Sequence, residues 1–98
     1  MKVIWSPLAI DRAVDQARVI AQDKPGAAER WLDGVFAATE SLADFPKLGK
    51  VVPELKREDH RELGYGNYRI IYRIDARQIS VLTVRHGRRL LDVTEIDG

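Results

Sequence analysis

The sequence predicts an α+β fold in which two helices cover one face of an antiparallel sheet. Between residues 7 and 45, apolar side chains recur three and four positions apart, which is the period of an amphipathic helix. After Pro46 the period changes to two, as expected of strands whose successive side chains point to opposite faces of a sheet. A short strand, a pair of helices and then a run of strands is the element order of an α+β domain.

The helical half contains two helices joined by a short connection. A strand is predicted over residues 1 to 5, and Ser6 followed by Pro7 predicts a helix start, because serine can cap a helix whose first residue is proline. Residues 23 to 26 end this helix and begin the second, which stops before Pro46. Helices connected so closely are expected to pack antiparallel. Their predicted buried stripes are Ile10, Ala13, Val14, Ala17, Ile20 and Ala21, and Ala28, Trp31, Leu32, Val35, Thr39 and Leu42.

The strands follow an irregular, charged connection that begins at residue 47. A strand is predicted near Arg61 to Tyr65, and the sequence YRIIYRI at residues 68 to 74 alternates aromatic or aliphatic side chains with arginines. A turn at residues 75 to 77 then leads into a strand from Ile79 to Arg85, which completes a hairpin.

Composition restricts the class of protein. A chain of 98 residues predicts one domain over residues 1–98, too small for an embedded cofactor fold. The chain has no cysteine, and its two histidines lie far apart in sequence, so neither a disulfide nor a metal site is expected. No apolar run is long enough to span a bilayer or to act as a secretion signal, which predicts a cytoplasmic protein.

Charge is distributed unevenly along the chain. Residues 1–45 hold five basic and seven acidic residues, whereas residues 46–89 hold eleven basic and five acidic ones, a net charge of +6. Eight of those eleven are arginines, whose planar guanidinium suits two-point contacts with carboxylates and phosphates. An anionic partner is therefore predicted, with ordinary surface charge as the alternative.

The helix-free face of the sheet is the predicted location of a functional site. Arg69 and Arg73 point there, and alternation allows either Arg85 or His86, but not both, to join them. If Arg61, Arg69 and His86 converge with Glu54, the set could support RNA cleavage by the 2′-hydroxyl, with two proton-transfer groups and cationic support for the phosphate. Arg88 and Arg89 would add an anion-binding or acidic-partner contact at the strand end.

Each candidate also has a structural interpretation. A histidine at a strand end more often makes a structural hydrogen bond than it catalyses. Glu54 follows Pro53 in a loop, where a glutamate is commonly solvated, and Arg88 and Arg89 can simply keep a strand end hydrated.

The order of four segments carries a family resemblance. WSPLAIDRAVDQARVIAQDKPGAAERW, LADFPKLGKVVPEL, RELGYGNYRIIYRI and ISVLTVRHGRR together resemble the RelE/ParE superfamily of toxins from bacterial type II toxin-antitoxin and plasmid stabilization modules. The resemblance implies a helical hairpin packed on one face of a curved, mainly antiparallel sheet of four to five strands. It also implies an antitoxin partner with a DNA-binding half and a tail that wraps the toxin, so that the toxin reaches operator DNA only through the antitoxin.

The resemblance leaves two molecular targets open. RelE-like members cleave mRNA on the ribosome, and by position Arg69, Glu54 and His86 match an arginine, a loop glutamate and a histidine of that branch. ParE-like members inhibit DNA gyrase without such a set, and Gly87 here occupies a position where the nuclease branch commonly has a tyrosine. The preferred hypothesis is a noncatalytic gyrase inhibitor in which Arg73, Arg85, Arg88 and Arg89 bind target or antitoxin; the alternative is a ribosome-dependent mRNA endoribonuclease using Glu54, Arg61, Arg69 and His86. Residues 90–98 fit either an edge strand or a tail ordered by a partner.

Overall fold

A computed structural model describes residues 1–87 and 93–95 of the chain. The elements are β1 (Lys2–Trp5), α1 (Pro7–Asp23), α2 (Pro25–Glu40), a 3₁₀ turn (Ser41–Ala43), β2 (Lys50–Val51), β3 (His60–Tyr65), β4 (Tyr68–Ile74), β5 (Gln78–His86) and a second 3₁₀ turn (Val93–Glu95). The predicted contacts of Arg88 and Arg89 lie outside the described residues, as does most of the segment 90–98. Neither helix combines the length and apolar character that crossing a membrane requires.

The helical hairpin begins as the sequence predicts. The Ser6 hydroxyl accepts a hydrogen bond from the Ala9 amide at 3.0 Å, and Pro7 occupies the first helical position. The buried stripe of α1 consists of Ala9, Ala13 and Ala17. The prediction that Ile10 belongs to this stripe is wrong, because Ile10 is 43% exposed. Residues four positions apart lie in one row along a helix, and here that row consists of alanines and packs against the rest of the molecule. Ile10 lies outside that row.

The five strands form one mixed sheet in the order β1-β5-β4-β3-β2. β1 runs parallel to β5, and every other pair is antiparallel. Both helices pack on the same side of this sheet, which we call the helix face. The core there joins Ala9, Ala13 and Val35 of the helices to Ile70, Val81 and Val84 of β4 and β5. The predicted helical hairpin on one face of a mainly antiparallel sheet is confirmed.

The opposite side of the sheet, called the outer face, is partly covered by the chain itself. Val52 and Leu55, from the connection between β2 and β3, pack against Ile71 and Leu82 in a small apolar cluster. The face without helices is therefore only partly open. Burial of these side chains stabilises the segment that carries Glu54 against the sheet.

A bulge in β5 determines which side chains reach the outer face. Ile79 and Val81 lie opposite Ile74 and Tyr72, but the register then shifts so that Thr83, and not Leu82, is the partner of Ile71. An extra residue in one strand reverses the alternation beyond it. Arg85 consequently lies on the outer face opposite Arg69, whereas His86 lies on the helix face opposite Tyr68.

Gly34 allows α2 to approach the sheet. A Cβ atom at this position would lie 1.7 Å from the Tyr65 hydroxyl oxygen and 2.7 Å from its Cζ atom, so no larger residue fits without moving the ring. Gly34→Ala is expected to lower the free energy of unfolding by about 1 to 3 kcal/mol, because overpacking outweighs the gain in helix propensity. Urea unfolding followed by circular dichroism measures this change.

Gly26→Ala is the matched control for that substitution. Gly26 is exposed in the same helix, and its added Cβ would meet only the end of the Arg30 side chain, at 3.3 Å. The control is expected to be neutral or slightly stabilising. Equal unfolding energies for the two variants would contradict the close approach of α2 to Tyr65.

Candidate functional site

Arg69 is the centre of a charged cluster on the outer face. Its Nη1 and Nη2 atoms donate to the two carboxylate oxygens of Glu54 at 2.9 and 2.8 Å, and its Nε atom donates to Glu62. Glu62 is 6% exposed, and the Lys50 ammonium lies 3.5 Å from it. Hydrogen bonding to Glu54, together with Glu62, raises the pKa of Arg69 well above its usual value despite partial burial. The guanidinium is thus a cation whose donors are directed at two carboxylates.

Two neighbouring elements bring those carboxylates to Arg69. In β3, Glu62 lies opposite Ile71 and shares its face, one diagonal step from Arg69. Glu54 sits in a turn in which the Leu55 and Lys56 amides both donate to the Val52 carbonyl, at 3.1 and 2.9 Å. Lys56 closes this turn in the left-handed region, with φ of 54°. The apolar anchors of the same segment therefore hold Glu54 over the arginine.

Arg61 lies on the helix face, away from this cluster. It is opposite Tyr72 in the sheet and donates through Nη1 to the Gly49 carbonyl at 3.0 Å. Its Nη2 atom pairs with Glu58 at 2.7 Å. Arg61 lies two residues before Leu63 in β3, so both side chains are on the helix face. Strand alternation alone could have predicted this placement from the sequence.

His86 also lies on the helix face. Its ring meets Tyr68 edge-on with centroids 5.4 Å apart, and Tyr68 in turn packs edge-on against Trp31 at 5.0 Å. The Tyr68 hydroxyl accepts a hydrogen bond from Gln16 at 2.8 Å. Tyr68 is therefore a packing residue, and His86 extends its aromatic row.

The four residues of the nuclease hypothesis do not converge. Glu54 and Arg69 are in direct contact, but Arg61 and His86 occupy the other face of the sheet. The bulge in β5 and the alternation of β3 cause this separation. The condition on which the nuclease hypothesis was built, convergence of these four side chains, is therefore not met in this structure.

Arg73 lies near the opposite end of β4 from Arg69. Its Nε atom donates to Asp75 at 2.8 Å, and the Ser80 hydroxyl donates to the same carboxylate at 2.8 Å. The hydrogen bond from Arg73 lowers the pKa of Asp75 below its usual value, with Ser80 contributing in the same direction. This group ties the β4–β5 turn together.

Arg85 takes part in a third charged group beside β5. It donates to Glu95, whose Oε1 atom also accepts from the Thr83 hydroxyl at 3.0 Å and from Arg12 Nε at 3.1 Å. Sequence reasoning missed Glu62, Thr83 and Glu95 altogether. Strand alternation could have placed Glu62 beside Arg69, but no local pattern connects Glu95 to a strand ten residues earlier.

A cleft of about 620 Å³ borders the Arg69 cluster. Lys50, Glu54, Glu62 and Arg69 supply its charged lining, and Gly64 and Gly87 leave backbone exposed at its edge. Within residues 1–87 and 93–95, no three histidine or acidic side chains are grouped so that they could hold a metal ion. The four charged side chains that line this cleft pair with one another. Any anion that enters the cleft would therefore have to compete with Glu54 and Glu62 for the cations.

Comparison with known proteins places the chain in a family. Among solved structures, it is similar to the chromosomal ParDE system of P. aeruginosa, with a TM-score of 0.75 and 15% identity over 88% of this chain and 95% of that one. It is also similar to the RelBE2 toxin-antitoxin complex of Mycobacterium tuberculosis, with a TM-score of 0.61 and 24% identity over 87% and 95% of the two chains. No curated protein sequence matches it significantly. The model of the ParE toxin of the parDE type II toxin-antitoxin system matches residues 3–91, and the chain belongs to that toxin family.

Proposed function

We propose that this protein is a ParE-like toxin that arrests growth by binding DNA gyrase, without catalysing a reaction, and that a cognate antitoxin neutralises it in the cytoplasm. The observation that supports this proposal most strongly is the separation of Arg61 and His86 from Glu54 and Arg69 by the thickness of the sheet. Proton transfer to and from one scissile bond requires the acid, the base and the cation on the same side.

The charge balance around Arg69 supports the same function. Arg69 is matched by Glu54 and Glu62, and Lys50 brings the group of four to electrical neutrality. A phosphate entering this cleft would have to displace Glu54 from a two-point contact. The group therefore suits the stabilisation of the outer face better than the stabilisation of a phosphorane-like transition state.

The antitoxin part of the proposal rests on family membership and on charge. Members of this family belong to type II toxin-antitoxin systems. An extended acidic tail could engage Arg73 and Arg85, together with Arg88 and Arg89 from the sequence, while the other half of the antitoxin contacts operator DNA. The toxin itself would then need no DNA-binding surface.

His86→Ala is expected to leave growth arrest near the wild-type level, because His86 packs on Tyr68 and takes no part in proton transfer under this proposal. Induction of the toxin in a strain without antitoxin, followed by colony counts, measures the effect. Glu54→Gln, which keeps the shape of the side chain, is expected to behave in the same way.

Loss of growth arrest in both folded variants would favour the alternative, a ribosome-dependent mRNA endoribonuclease. Thermal unfolding of each purified variant separates loss of function from loss of fold. Primer extension on mRNA from the same cultures would then show cleavage within codons for the wild type only.

A further inference from the structure

Glu95 occupies a carboxylate site built from two other elements. Arg12 is supplied by α1, and Thr83 and Arg85 are supplied by β5; all three donate to this one carboxylate. The Glu95 side chain is 10% exposed. The donors belong to a helix and a central strand, whereas their occupant belongs to a three-residue turn. Regular secondary structure therefore supplies the donors of the site, and its occupant comes from outside those elements.

The same site has donor capacity that Glu95 leaves unused. In the described part of the chain, Arg85 Nε is buried and has no hydrogen-bond acceptor. A buried guanidinium N–H without an acceptor is costly, and Arg prefers a carboxylate that spans two of its nitrogens. A carboxylate that replaced Glu95 and spanned Nε and an Nη atom of Arg85 would satisfy this donor.

The adjacent edge of β5 offers backbone groups to the same ligand. β1 pairs with β5 from Gln78 to Val81, and the Leu82 carbonyl accepts a hydrogen bond from the Ser6 hydroxyl at 3.1 Å, so among the described residues it is Thr83 to His86 with which no strand pairs on that side. An extended peptide can add to such an edge and direct alternate side chains to one face. A nucleic acid could contact the arginines, but it could not form the backbone hydrogen bonds of an added β-strand. The present occupant is a glutamate side chain, which is the kind of group that an acidic peptide supplies.

We propose that Arg12, Thr83 and Arg85 form a binding site for an acidic side chain of the antitoxin tail, and that Glu95 is an internal competitor which the tail displaces. This inference rests on the proposed toxin function. While Glu95 fills the site, the antitoxin tail cannot bind there. The apparent affinity for the tail is then reduced to the intrinsic affinity multiplied by the fraction of molecules in which the site is vacant. Glu95 would thus weaken capture of the antitoxin and make release easier.

Glu95→Gln tests the competition directly in the full-length toxin. The probe is the antitoxin encoded beside the toxin gene, immobilised, with association and dissociation rates measured at fixed salt. Removing the competing charge is expected to raise antitoxin affinity about fivefold or more, the lower end of typical coupling between two ligands. In the Glu95→Gln background, Thr83→Val is expected to reduce that affinity again, because it removes one donor of the site.

Glu58→Gln is the matched control. It also removes a glutamate that pairs with an arginine, since Glu58 Oε2 lies 2.7 Å from Arg61 Nη2, but this pair lies on the helix-face side of β3. Its antitoxin affinity should equal that of the wild type.

Three results would overturn the inference. The first is folded Glu95→Gln toxin that binds antitoxin no more tightly than the wild type, and the second is the absence of any effect of Thr83→Val in that background. A gain in affinity for a single-stranded RNA oligonucleotide, without a gain for antitoxin, would assign the site to nucleic acid instead. Failure of wild-type toxin to bind the antitoxin at all would instead refute the proposed toxin function. The experiment therefore separates failure of that function from failure of the Glu95 competition.

Discussion

Arg69→Ala is expected to lower the free energy of unfolding by about 3 to 5 kcal/mol, because it leaves a buried carboxylate without its cation. Glu62 is that carboxylate, and Lys50, at 3.5 Å and largely exposed, is a weaker partner for it. Glu54 would also lose its two-point contact and with it one attachment of the segment over the outer face. Urea unfolding followed by tryptophan fluorescence gives the difference.

The control for Arg69→Ala removes both charges together. The double variant Arg69→Met with Glu62→Leu fills similar volume with apolar groups and is expected to recover most of the lost stability. If Arg69→Ala cost less than about 1 kcal/mol, the cluster would behave as an exposed ion pair. That result would contradict the view that Arg69 is a structural residue and would reopen its role in phosphate binding.

Tyr72→Ala is expected to have an effect of similar size, about 3 to 5 kcal/mol, because it removes a large side chain from a tightly packed core. Tyr72 is fully buried and packs with Leu42 and Ile79 on the helix face. Its hydroxyl donates to the Pro46 carbonyl at 2.6 Å and accepts from the Gly49 amide at 2.9 Å. Burial raises the pKa of this hydroxyl above its usual value.

Tyr72→Phe separates the hydroxyl from the ring. The phenylalanine keeps the packing but leaves the Gly49 amide and the Pro46 carbonyl without this partner, at an expected cost of about 1 to 3 kcal/mol. Equilibrium unfolding of both variants under the same conditions measures the two parts. Equal losses for Tyr72→Phe and Tyr72→Ala would show that the ring itself contributes little, contrary to its burial.

The elements of the fold follow from local patterns in the sequence. Ser6 and Pro7 begin α1 where capping chemistry places them, and the apolar stripe of α2 is half-buried or buried as its spacing predicts. The hairpin between β3 and β4 follows from Gly66, which takes the left-handed conformation at φ of 57° in the turn. Each of these signals involves neighbours in sequence.

The arrangement of the site depends on features with no local signal. The bulge at Leu82 decides that Arg85, and not His86, reaches the outer face, and nothing in an alternating strand marks where an extra residue will fall. Likewise, the packing of Val52 and Leu55 on that face depends on a turn within a charged segment that looks irregular in sequence. Strand alternation could therefore place Arg61 and Glu62 from the sequence, but the bulge and the turn decided the positions of Arg85, His86 and Glu54.

Inhibition of purified DNA gyrase is the measurement that tests the central claim most directly. Relaxed plasmid, ATP and gyrase are incubated with increasing amounts of wild-type toxin, with and without antitoxin, and supercoiling is read on an agarose gel. Wild-type toxin is expected to abolish supercoiling, antitoxin to restore it, and His86→Ala toxin to inhibit as strongly as the wild type. Undiminished supercoiling in the presence of excess folded toxin, with codon-specific mRNA cleavage by the same preparation in a reconstituted translation reaction, would contradict the central claim.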